Sequence, residues 1–186
     1  MTTLILDTSH KFLVVGLVRD DQIKAFKQEN LKQKQSEFLI TYIQTVLKEA
    51  NIDKSEIDTI VLTDGPGSYT GLRIAMTFSK VFGLTQDIKI YTINTLLSIS
   101  GLRDGFVMLD ARSKRVFGAY VSQGELKDEA IYKLDALNLD KIDVYGDASL
   151  MGREDNYGNI VENIHSLQNR WQYIEDIDTL SPRYLT

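Results

Sequence analysis

The chain of 186 residues has no cysteine, two prolines, two histidines and one tryptophan. Without thiols it can build neither a disulfide framework nor a thiolate metal site. His10 and His165 stand far apart, and no HxxxH or HExxH spacing occurs, so a histidine-built metal site within the chain is not expected. Neither a metal nor another cofactor is predicted. No apolar run approaches the length needed to span a bilayer, and no secretory signal is read at Met1-Thr2-Thr3. The expectation is a soluble, cytoplasmic protein with no membrane partner.

Excess charge is missing from the first part of the chain: residues 1–101 carry 11 basic and 11 acidic side chains. Residues 102–186 carry 10 basic and 15 acidic ones, which accounts for the whole net charge of −5. An acidic half repels phosphate backbones, so it is not expected to bind nucleic acid alone. What is present suffices for a core, since 43% of the residues are hydrophobic. This length suits one domain or two small lobes.

Leu4-Ile5-Leu6 opens a strand ending at Asp7-Thr8-Ser9, and Phe12 to Val18 form a second. Asp20-Asp21 supply a tight turn into a third strand over roughly residues 22–28. Leu39, Tyr42, Ile43, Val46, Leu47 and Ala50 recur at helical spacing over 35–50. A buried strand follows over 57–62, a helix over 70–84, a strand over 89–93, and a short helix capped by Asn94 and ending near Gly101. Then the pattern restarts. Val107-Met108-Leu109-Asp110-Ala111-Arg112 followed by Val116 to Val121 echoes the opening segment. This repeat predicts two related α/β lobes, 1–101 and 102–186, with a further strand near 142–146 and a helix near 159–171.

The run Thr63-Asp64-Gly65-Pro66-Gly67-Ser68-Tyr69-Thr70-Gly71-Leu72-Arg73 joins a strand pattern to a helix pattern. Its glycines and Pro66 preset the loop, and Ser68 stands where a helix N-cap belongs, ahead of backbone N–H groups suited to an anion or a carbonyl. The loop has one residue too many for a dinucleotide fingerprint and no Gly-Lys-Ser/Thr for a nucleotide P-loop. A strand–helix turn without ligand fits it as well. The helix it launches carries a small-residue stripe at Gly71, Ala75, Ser79 and Gly83, with apolar residues over most of the remaining surface. Such a helix is buried on more than one side, either inside one domain or between the core and a partner. Asp7 and Asp110 stand at strand ends where ligands gather in α/β sheets and could pair between the lobes, but the reading favoured for each is a structural one, capping its own turn, with Arg112 as an ion-pair partner for Asp110. Ser9 beside His10 does not make a triad, and Ser68 has no evident base, so no nucleophile system is read.

Ile5-Leu6-Asp7-Thr8-Ser9, Gly65-Pro66-Gly67-Ser68-Tyr69-Thr70-Gly71-Leu72-Arg73, Leu109-Asp110-Ala111-Arg112 and Pro182-Arg183-Tyr184-Leu185 resemble the TsaB (YeaZ) family in order and spacing. That family is a subunit of the bacterial machinery that makes threonylcarbamoyladenosine in tRNA. The resemblance covers residues 1–121 well and the remainder poorly. It implies the duplicated α/β lobes of the actin, sugar kinase and Hsp70 (ASKHA, RNase H-like) superfamily, with the second lobe reduced. It also implies a non-catalytic scaffold that binds and activates the related catalytic subunit TsaD by pairing helices. The resemblance further implies a homodimer when TsaD is absent, a TsaE ATPase that joins the pair, and tRNA contacted only through the complex. The HxxxH metal site of TsaD has no counterpart at Gln35-Ser36-Glu37-Phe38-Leu39, and no paired-glycine ATP loop follows residue 122. On this reading the partner contacts are Leu39, Ile43, Gly71, Leu72, Ala75, Met76, Ser79 and Gly83, and a bulky arginine at Ala75 or Ser79 is expected to abolish pairing. A stand-alone enzyme of the same superfamily, either a small-molecule kinase or ATPase or a glycoprotease-like peptidase, is the alternative.

Overall fold

A computed structural model describes all 186 residues. At its centre lies strand β1 (Thr2–Asp7), buried at all six positions. Strands β2 (Phe12–Arg19) and β3 (Gln22–Asn30) follow it antiparallel, joined by Asp20 and Asp21 with φ of 51° and 62°. Two successive positive φ values are what a right-twisted two-residue hairpin needs. On the other side of β1, β4 (Thr59–Gly65) and β5 (Lys89–Asn94) run parallel to it. The sheet order is therefore β3-β2-β1-β4-β5. A two-residue strand β10 (Gln172–Tyr173) returns from the end of the chain to pair with β5.

The second sheet repeats the start of the first. Strands β6 (Gly105–Asp110), β7 (Arg115–Ser122) and β8 (Glu125–Lys133) form an antiparallel meander, and β9 (Val144–Gly146) lies parallel to β6. The equivalence extends to side chains. Asp7 accepts the backbone N–H of Ser9 at 2.9 Å, and Asp110 accepts that of Arg112 at 2.7 Å. The second lobe is the reduced one: short 3-10 turns and loops take the place of the long helices of the first.

Alternation along β1 and β4 assigns the layers. Leu4, Leu6, Ile60 and Leu62 face α1 (Gln35–Ala50) and α2 (Tyr69–Thr85), while Ile5 and Val61 face α3 (Thr95–Ser100) and α4 (Ile160–Ser166). Helix α1 buries Leu39, Tyr42, Ile43, Val46 and Leu47 on the first sheet, each worth roughly 2 kcal/mol on burial. It ends at Asn51, whose left-handed backbone lets its N–H reach the Lys48 carbonyl. The α3–α4 layer lies between the sheets, because the same cluster takes in Val107, Leu109, Ala119 and Val121 from the second sheet. The lobes thus share a core. The far face of the second sheet is covered by a small cluster around Phe106, Met108, Val116 and Leu139. The predicted helix over 159–171 is shorter than expected, and β8 and the returning tail were not foreseen. No helix is long and apolar enough to cross a membrane.

At Gly16 of β2, α4 packs tightly on the first sheet: a Cβ there would lie 2.6 Å from Val161 Cγ1. Gly16→Ala is expected to lower unfolding free energy by about 1–3 kcal/mol through overpacking, read from urea denaturation. Relief of the defect by the additional change Val161→Ala would confirm this contact as the cause.

Candidate functional site

The glycine loop is packed against the chain's own backbone on both sides. Ser68 donates its N–H to the Ser9 carbonyl at 2.7 Å, and Ser68 Oγ caps α2 by accepting from Gly71 N at 3.1 Å. Gly71 lies against the Thr8 carbonyl so closely that any side chain would collide with it. The Thr8 hydroxyl enters the first turn of α2, donating to Gly71 O at 2.6 Å and accepting from Ala75 N at 3.2 Å. Opposite, the tail crosses the loop: Arg183 donates its N–H to Asp64 O at 2.7 Å, and its carbonyl fills the place of a Cβ at Gly65, whose φ is +126°. Tyr184 then stacks on Tyr69 with ring centroids 5.4 Å apart, and the Arg73 guanidinium lies 4.5 Å from the Tyr69 ring. Thr70 is exposed on the first turn of the helix, and Gly65 and Pro66 are buried.

Asp7 is fully buried beneath this loop. Its Oδ1 accepts from Ser9 N, Ser9 Oγ and Thr63 Oγ1 (2.9 Å), and its Oδ2 from His10 Nε2 (3.0 Å) and Ser98 Oγ (3.1 Å). Because His10 Nδ1 accepts from Phe12 N at 3.2 Å, this network assigns the ring proton to Nε2. Burial pushes the Asp7 carboxyl up, but His10 and the two Ser9 donors outweigh it and hold the carboxyl below its usual range. Ser9 Oγ hydrogen-bonds to the carboxylate rather than to the imidazole, so the three side chains do not form a nucleophile–base relay.

Asp110 is exposed, and Asp7 takes its donors from Ser9, His10, Thr63 and Ser98, so the two strand-end aspartates do not form a joint carboxylate site. Asp110 caps its own turn by accepting the backbone N–H of Arg112, as the turn reading expected, and the expected side-chain ion pair with Arg112 does not form. One bridge between the lobes is Lys11, whose Nζ lies 2.5 Å from Asp155 and 3.5 Å from Asp147, and another is Asn94, which donates to Glu129 at 2.8 Å. Asp147 also accepts from Tyr157 Oη at 2.6 Å and from the backbone N–H of Asp110 at 2.9 Å. Reasoning from sequence missed Lys11, and it weighed His10 only as a metal ligand or a triad partner of Ser9, not as the partner of Asp7. The His10–Asp7 pair is three residues apart and was within reach of a turn argument, but Lys11 and Asp155 are 144 positions apart.

The expected partner contacts need correction. Leu39, Ile43, Gly71, Leu72, Ala75, Met76 and Ser79 are buried inside this chain, and a side chain at Gly83 would meet Ile90 and Ile177. The small stripe of α2 faces inward because Thr8 and Ile90 occupy it. An arginine at Ser79, which is 0% exposed, would disrupt the core before it tested any pairing. The outer surface of the two helices is different: Thr77, Val81 and Leu84 on α2, beside half-buried Ile74 and Phe78, with Phe38, Ile40 and Thr41 on α1. The exposed and half-buried positions of α2 include no acidic residue.

A family model described as TsaD, tRNA N6-adenosine threonylcarbamoyltransferase, matches residues 27–141, more than half of the chain. The tRNA threonylcarbamoyladenosine biosynthesis protein TsaB of Bacillus subtilis is 31% identical over 137 residues, 70% of this chain and 60% of that protein. The chain belongs to this family, in its TsaB (YeaZ) branch. An uncharacterized Mycoplasma genitalium protein is 26% identical over 186 residues, covering 98% of this chain and 93% of that one. YeaZ from Pseudomonas aeruginosa has the same fold, with a TM-score of 0.77 at 20% identity over 99% of both chains. The matches to the Bacillus subtilis protein and to a Mycobacterium bovis protein each span 60% of the relative's length.

Folding lowers the Asp7 pKa, so its stabilisation is complete above the unfolded value of about 3.9 and is lost as pH falls through the lower folded value. Asp7→Asn is expected to cost ~3 kcal/mol at neutral pH, because it breaks a buried charged network. In a pH series of urea melts the deficit against the unmodified chain should shrink once pH drops below about 4. A deficit that stays constant to the lowest pH would contradict this assignment.

Proposed function

We propose that this chain is a non-catalytic subunit of the machinery that makes threonylcarbamoyladenosine in tRNA, and that it binds and activates a TsaD-type catalytic subunit through the outer face of α1 and α2. The TsaB-branch membership supports the pathway. The observation that carries the docking reading is the apolar surface itself: Leu84 is 74% exposed, Val81 60% and Ile40 52%. Val81 and Leu84 stand three residues apart on one face of α2, and neighbouring exposed aliphatic side chains are characteristic of surfaces that a partner covers. A helix pair from the other subunit, laid across α1 and α2, would complete a four-helix packing of the kind that aliphatic ridges favour.

The glycine loop supports the same reading. Its approach to Thr8, Ser9 and Arg183 makes it an internal joint that sets the start of α2, and so the direction of the docking helix. Nothing in its geometry favours the stand-alone kinase or peptidase. In this proposal a second copy of the chain takes the same face when the catalytic subunit is absent, and the TsaE ATPase joins the heteromeric pair. The tRNA is reached only through that complex, in the cytoplasm.

The decisive experiment is co-purification with candidate TsaD and TsaE, followed by reconstitution of tRNA modification with and without this chain. The double variant Val81→Asp/Leu84→Asp should weaken pairing at least about tenfold, while surface substitutions of this kind leave folding stability within about 0.5 kcal/mol each. Unchanged pairing in the folded variant would remove α2 as the docking element. ATP turnover or peptide cleavage by the purified chain alone would overturn the non-catalytic assignment.

A further inference from the structure

A cavity of about 350 Å³ lies between the carboxyl ends of β4 and β5 and the second sheet. Asp64 and Asn94 line it from the first sheet, Glu125 from the start of β8, and Arg170 and Arg183 from the returning chain. It is separate from the outer face of α1 and α2, so a ligand here leaves that face open to a partner. Its volume falls at the small end of ligand sites, which run from about 300 to 1,000 Å³.

Two charged groups in its wall are incompletely paired. Asp64 has a side chain only 15% exposed, and its Oδ1 is buried without a hydrogen-bond partner. The Arg183 Nε lies 3.9 Å from that oxygen, while the guanidinium nitrogens of Arg183 turn to Glu129 at 3.2 Å and the Gly65 carbonyl at 3.3 Å. Burial raises the Asp64 carboxyl above its usual range, and the Arg183 charge opposes this. Arg170 holds Glu125 through Nη2 at 2.7 Å, yet its buried Nε has no acceptor. Buried polar atoms are nearly always satisfied in folded proteins. Asp64 Oδ1 and Arg170 Nε are themselves closed to solvent, so a guest meets the rest of the Asp64 carboxylate and of the Arg170 guanidinium, and a wall that presents both suits a polar guest with groups of both signs.

The charge of the lining narrows the class. Asp64 and Glu125 balance Arg170 and Arg183, so the ionisable wall is neutral overall. A polyphosphate would face two carboxylates with no net positive field to repay its desolvation. A small zwitterion finds a partner for each of its charges. Leu97 and Leu126 add the two apolar surfaces of the wall.

We propose that this cavity binds a free α-amino acid, its ammonium group held by Asp64, its carboxylate by Arg170, and its side chain set against Leu97 and Leu126. The test is isothermal titration of the full chain with the standard set of L-amino acids, with the N-acetylated and carboxamide forms of the tightest binder, and with ATP. At least one amino acid should bind with one-to-one stoichiometry and a Kd of about 1 mM or tighter. Blocking either the amine or the carboxylate should weaken binding at least about tenfold, and so should Asp64→Asn or Arg170→Met. Arg170 is partly exposed and its partner Glu125 lies in solvent, so Arg170→Met keeps the test valid should Asp64→Asn fold poorly. No saturable binding by any amino acid up to about 10 mM would overturn the proposal. Undiminished binding of the blocked forms or by the folded variants would do the same, as would ATP binding that Arg170→Met abolishes while no amino acid binds.

Discussion

Burying a carboxylate is tolerable only when its lone pairs are met, and the whole lobe junction is arranged around meeting those of Asp7. Its five donors come from the β1–β2 turn, from β4 and from α3, so one side chain ties together three segments distant in sequence. The turn it organises then reaches outward. Thr8 enters the first turn of α2, the Ser9 carbonyl receives Ser68 N, and Lys11 crosses to Asp147 and Asp155 of the second lobe. A polar network satisfied this fully is stiff as well as stable, since moving any member strands the others in low dielectric.

That stiffness explains how a reduced second lobe remains part of one body. Lacking long helices of its own, it covers one face of its sheet with short turns and lends the other to the α3–α4 layer, which it shares with the first sheet. The tail returns in the opposite direction, adding β10 to the first sheet and laying Arg183 over the glycine loop. Each lobe thus depends on chain contributed from beyond its own sheet. The cavity bounded by Asp64, Arg170 and Arg183 is a product of this exchange, because its walls come from both sheets and from the returning chain.

Much of the fold was legible because its signals are local. The alternation in Leu4-Ile5-Leu6, the helical spacing from Leu39 to Leu47, the Asp20-Asp21 hairpin and the restart at Val107 all appear where periodicity and turn chemistry place them. Strand β8 was obscure because it is an edge strand with mixed exposure, and Glu125-Leu126-Lys127-Asp128-Glu129 shows little apolar contrast. β10 is two residues long, and its pairing with β5 carries no signature in sequence. The candidate site was legible in part. Asp7, the glycine loop and Arg183 were singled out, but the contacts that join them are long-range. The inter-lobe bridge from Lys11 was invisible for the same reason.

The sequence by itself determined the sheet-forming segments, the repeat, the loop that launches α2 and the family to which these motifs belong. Side-chain periodicity and backbone preference encode those features within a few residues of one another. Only the tertiary structure decided which way α2 faces. Gly71, Ala75 and Ser79 suit close packing against a partner helix and against the protein's own interior equally well, since both require small side chains. The Thr8 hydroxyl, Ile90 and Ile177 claim that stripe from within, leaving Val81 and Leu84 to solvent. Spacing reveals that a face is suited to burial, and what buries it is settled by residues that only folding brings near.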